Sequence, residues 1–127
     1  MKKILKGNDL FVREEIFMDL ETGELISPVE TEKYRIVQVA ESFYRGAFSI
    51  SRHVQRCDLE LTLPVSGSLL CETDDTLCRV ERGEVHIALR GEHHTLSGRR
   101  GCRFCTLAID LKAGAPTGLL ARLCTSA

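Results

Sequence analysis

The chain has no basic cluster, no long apolar run and no phosphate-binding loop, and each absence narrows what it does. Across 127 residues, 17 Lys and Arg stand against 18 Asp and Glu, for a net charge of −1. The basic groupings amount to pairs such as Lys2-Lys3 and Arg99-Arg100. Nucleic-acid backbones are held by cations clustered on one face, so this chain by itself is a poor DNA binder. No segment approaches the roughly 20 apolar residues that cross a bilayer. The N-terminus starts basic but reaches Lys6, Gly7, Asn8 and Asp9 before any apolar stretch of signal-peptide length. These absences set the expectation of a cytoplasmic protein with no membrane partner. Neither a Gly-rich phosphate loop nor a GxSxG nucleophile elbow occurs, and there is no internal repeat.

Six cysteines are present, at 57, 71, 78, 102, 105 and 124. Without a secretion signal they read as reduced, small buried hydrophobes rather than a disulfide framework. Cys102-Arg-Phe-Cys105 has CxxC spacing, yet it lies in the strand-like run CRFCTLAIDL. Residues three apart on a strand point to opposite faces and do not chelate one ion, and the second half of a zinc motif is missing.

From Arg35 onward the text is a succession of short strands: RIVQVA, GAFSISRH, DLELTLPV, SLLCET, TLCRV, EVHIAL, HHTLS and CRFCTLAIDL. Gly67, Asp74-Asp75, Gly83, Gly91 and the Gly98–Gly101 run punctuate them. Strands this short at this spacing predict an all-β sandwich or barrel over 35–112. Residues 1–34 are charged and irregular, an N-terminal arm with a hairpin suggested by MDLETGEL at 18–25. After Gly114 and Pro116, TGLLARLC opens like a helix with Thr117 at its N-cap, so 113–127 reads as the truncated start of a C-terminal helix. Alternation gives several strands one apolar face: Leu59, Leu61, Leu63 and Val65; Val85, Ile87 and Leu89; Cys105, Leu107, Ile109 and Leu111.

Two spacings carry the family resemblance. His53-Val-Gln55, four residues, Glu60, six residues, Gly67 resembles the first cupin motif. Gly83, five residues, Leu89-x-Gly91, two residues, His94, three residues, Gly98 resembles the second, with Leu89 in the place of its Pro and Gly98 in the place of its Asn. Fifteen residues separate the two. The chain is thus similar to a cupin over about 35–111, which implies a double-stranded β-helix, or jelly-roll barrel. Within cupins, SRH, CDLELTLPVSG, RGEVHIAL, RGEHHTLSG and CRFCTLAIDLK resemble the N-terminal effector-binding domain of AraC-type transcription regulators. That likeness implies a homodimer that senses a small-molecule effector and touches DNA only through helix-turn-helix motifs absent from these residues.

Cupin enzymes hold a metal with two His and a Glu from the first motif and a His from the second, positions that carry over to His53, Gln55, Glu60 and His94. Gln is a poor transition-metal ligand, because it brings neither charge nor an imidazole nitrogen. His53, Glu60 and His94 alone would still make a two-His, one-carboxylate set, the site of a stand-alone metal-dependent enzyme of dioxygenase or isomerase type. Parity opposes it: if the leucines of 59–65 fill the barrel, Glu60 faces solvent. By the same alternation His94 points inward with Leu96, while His93 and His86 point out. The favoured expectation is an effector pocket lined in part by His53, Gln55, Glu60 and His94, with no catalysis, cofactor or metal.

Overall fold

The computed structural model describes residues 2–6, 10–16, 22 and 31–112. The described residues form ten strands, β1 (Lys2–Lys6), β2 (Leu10–Ile16), β3 (Tyr34–Tyr44), β4 (Phe48–Val54), β5 (Leu59–Ser66), β6 (Leu69–Thr73), β7 (Leu77–Val80), β8 (His86–Leu89), β9 (His93–Gly98) and β10 (Cys102–Leu111). They make two antiparallel sheets, one of six strands in the order β1-β2-β3-β10-β5-β8 and one of four in the order β4-β9-β6-β7. The glycines that punctuate the sequence sit where the backbone needs them: Gly67, Gly83, Gly91 and Gly101 have φ of 75°, 89°, 87° and 81°. That left-handed region costs glycine nothing and other residues a clash at Cβ.

The segment 1–34 supplies β1 and β2 to one side of the larger sheet, with Phe11 opposite Phe43 and Val12 opposite Ser42. Apart from Thr22, the hairpin expected at 18–25 lies outside the described residues, as does the helix expected from Thr117. Among the described residues no helix is long and apolar enough to cross a membrane.

The two sheets meet in a core of Leu69, Cys71, Val80 and Leu96 from the smaller sheet against Cys102 and Phe104 from the larger. The rings of Tyr44, Phe48 and Phe104 stack at this end, with Tyr44 and Phe48 centroids 3.9 Å apart. Gly98 lies under that stack, and a Cβ there would sit 2.5 Å from Phe48 Cε1. A side chain at position 98 would have to displace Phe48. Cys102 is buried in this core while Cys105, on the other face of β10, is only partly covered. Burial pushes the Cys71 thiol up to about 12 and the Cys57 thiol up to about 11, so neither offers a reactive thiolate near neutral pH.

Candidate functional site

Between the sheets lies a cavity of about 390 Å³, at the small end of the ~300–1,000 Å³ usual for ligand sites. The larger sheet gives one wall, with Gln38, Ser42 and Tyr44 from β3, Glu60 and Thr62 from β5, and Phe104 and Thr106 from β10. The smaller sheet faces it with Ile50 and His53 from β4 and His94 and Leu96 from β9. His86 and Ala88 of β8, Val12 of β2, Ala40 of β3 and Thr95 of β9 complete the described lining.

This reverses the facing expected for β5 and β8. Glu60 and Thr62 point into the barrel, and the opposite face leaves Leu63 and Val65 40% and 46% exposed while Leu59 is covered. The two strands had to turn together, because Glu60 is registered opposite Ala88 and Thr62 opposite His86. Directly opposed residues on paired strands share a face, so an inward Glu60 brings His86 inward too. The expectation of a solvated His86 is corrected on the same ground. His94 stands inward beside Leu96, and His93 is exposed, its backbone N–H donating to Asp74.

Three of the four expected site residues converge. Bulged pairing of β4 with β9 places His53 opposite His94, their rings edge to face with centroids 4.1 Å apart. His94 Nε2 lies 3.9 Å from Glu60 Oε1, a contact too long for a hydrogen bond. His53 stands at the rim with Nδ1 2.9 Å from the Ser51 carbonyl; a carbonyl only accepts, so Nδ1 carries the hydrogen and Nε2 is left as an acceptor. His94 is 6% exposed, and its Nδ1 is buried without a hydrogen-bond partner. Burial, followed by the neighbouring His53 and His86, holds His94 down to about 4. Burial also lowers His86, against the opposing charge of Glu92. It raises Glu60, with His53 pulling the other way. These three shifts share one cause, since desolvation penalises the charged form of acids and bases alike.

Gln55, the fourth, is not in the cavity lining. It is buried in the barrel wall, where its side-chain amide donates to the Cys57 carbonyl at 3.2 Å and its backbone N–H bonds to the Glu92 carbonyl. Beside it Arg90 straps the chain together, giving Nε–H to Asp58 at 2.8 Å and a terminal N–H to Asp110 at 3.0 Å. Burial tends to raise Asp58, but the bonds from Arg90 and the Leu111 N–H outweigh it and hold the carboxyl low.

Of the four positions the resemblance assigns to a metal, Gln55 is committed to the Cys57 carbonyl, and among the described residues no group of three or more His, Cys, Asp or Glu side chains is placed to hold a metal ion. The residues sequence reasoning missed are Gln38, Ser42, Tyr44, Thr62, His86, Phe104 and Thr106. Thr62 shares the parity of Glu60, and Phe104 and Thr106 share that of Cys102, so facing one residue of each strand correctly would have found them.

No protein-family model matches the sequence, and no curated protein does. Solved structures do. A cupin superfamily protein from Desulfitobacterium hafniense superposes with a TM-score of 0.52 at 16% identity, covering 84% of this chain and 81% of its own. A predicted oxalate decarboxylase from Thermotoga maritima gives 0.58 at 15% identity, covering 87% and 92%. The oxalate decarboxylase of Bacillus subtilis, a protein with Mn(II) centres, gives 0.60 at 15% identity, covering 91% of this chain and 29% of its own. At these identities the likeness is one of fold. Two facing antiparallel sheets, a cavity between them and cupin neighbours make this chain a cupin-type jelly-roll barrel.

Proposed function

We propose that the barrel is a small-molecule receptor: the effector-binding and dimerisation domain of a cytoplasmic, AraC-type transcription regulator, acting as a homodimer and reaching DNA through a separate helix-turn-helix part. The observation that carries the receptor reading is the cavity itself. It combines polar groups with an aromatic wall, the usual make-up of a small-molecule site. Gln55 in the wall supports a receptor over a metal-dependent enzyme, since it removes one donor from the set.

Val12 gives the receptor a way to signal. It lines the cavity from β2, a strand that pairs with β3 at one side of the larger sheet. A ligand touching Val12 interacts differently with a docked and an undocked N-terminal segment, and that difference in affinity is what shifts a population. The regulator assignment itself rests on the resemblance of residues 51–112. It is tested by the gene's reading frame past Ala127: roughly 150 further codons with two helix-turn-helix units are expected. A stop codon at that point would overturn the regulator assignment and leave the receptor reading standing.

A further inference from the structure

We propose that the cavity takes a small organic cation bearing N–H donors, of the protonated-amine class, held against Glu60. The proposal rests on the receptor reading and adds to it the charge of the ligand.

No lysine or arginine stands among the described lining residues. Arg52, adjacent to His53 in sequence, is tied to Asp74, and Arg90 is tied to Asp58 and Asp110. A carboxylate or phosphate ligand would be stripped of water beside Glu60 with no fixed countercharge, which is among the costliest arrangements in a protein interior. Glu60 is the one carboxyl group in the described lining, its side chain 20% exposed. A cation entering the cavity gives that group a permanent countercharge.

The hydrogen-bonding inventory points the same way. His53 Nε2 is an acceptor by the bond its Nδ1 makes to Ser51. Ser42, Thr62 and Thr106 add hydroxyls that accept as readily as they donate. An ammonium carries three N–H donors on one compact centre, which matches a wall rich in acceptors. Tyr44 and Phe104, on the same wall as Glu60, add ring surfaces for the apolar remainder of the ligand and for cation–π attraction.

The test uses three probes of one shape and three charges, benzylammonium, benzyl alcohol and benzoate, titrated into the full chain at neutral pH and followed by amide chemical shifts. Benzylammonium is expected to shift Glu60, Thr62 and His94 and to bind at least about tenfold more tightly than benzoate. Glu60→Gln, which keeps the shape and removes the charge, is expected to abolish that preference while its spectrum stays dispersed. Benzyl alcohol or benzoate binding in the cavity as well as the cation does would overturn the charge assignment and leave the receptor reading intact. A cation preference that survives in Glu60→Gln would do the same. If none of the three perturbs the cavity residues, both readings fall.

Discussion

Replacing Phe104 with Ala is expected to lower the free energy of unfolding by about 3–5 kcal/mol. Phe104 is almost wholly buried, it belongs to the core shared by both sheets, and its ring stacks with Tyr44 and Phe48 at centroid distances of 6.1 and 5.7 Å. Truncation removes the transfer energy of a phenyl ring and both ring contacts. Because Phe104 also lines the cavity, the space it leaves joins an existing void, with no neighbour free to fill it. Native domains have only ~5–15 kcal/mol in hand, so the loss is a large part of the total. Urea unfolding followed by circular dichroism measures it. Leu77→Ala is the comparison: Leu77 is 64% exposed, and a change there stays within about 0.5 kcal/mol. Equal losses at the two positions would mean that the core is not where the structure puts it.

Acidification is expected to weaken the fold through His94. In the unfolded chain this histidine takes its proton near the ordinary 6.5, and in the folded chain only at about 4. Between those values the unfolded state binds the extra proton, so stability falls as pH drops from about 6.5 to about 4 and is flat with respect to this group below that. The difference amounts to roughly 3 kcal/mol. Glu60 contributes with the opposite sign. Its folded value is raised, so its contribution is fully present below the ordinary glutamate value of 4.5 and is lost as pH rises through the folded value. It therefore offsets part of the His94 slope. Denaturant midpoints measured at intervals from pH 7 to pH 4 should fall in the wild-type chain and fall much less in His94→Gln. A wild-type profile as flat as that of the variant would contradict the burial of His94.

Much of this architecture is legible in the sequence, and one systematic thing is not. The strand succession from Arg35 onward is readable because glycines needing positive φ mark the turns, as at Gly67, Gly83 and Gly91. The positions of His53, Glu60 and His94 are readable from their spacing to those glycines. Alternation shows that β5 has two unlike faces, but it does not say which one lines the interior. Assigning the leucines to the interior follows the rule for a filled barrel, whereas a barrel that encloses a ligand cavity turns polar groups inward. Glu60, Thr62 and His86 follow the second rule, and they do so together because register ties β5 to β8. The strands β1 and β2 are obscure for a different reason. LFVREEI carries more charge than most strands, and what makes it one is pairing with β3 some 30 residues on, from Leu10 opposite Tyr44 to Ile16 opposite Gln38. Such a partner is invisible to local propensity. Gln55 shows the limit of motif reading: its spacing places it with the other three, but the bond to the Cys57 carbonyl takes it into the wall.

Elemental analysis of the protein purified without a His-tag tests the central claim, that the cupin cavity is a receptor and not a metal centre. The account predicts less than about a tenth of an equivalent of Fe, Mn, Zn and Ni. Near-stoichiometric metal that disappears in His94→Ala would contradict it.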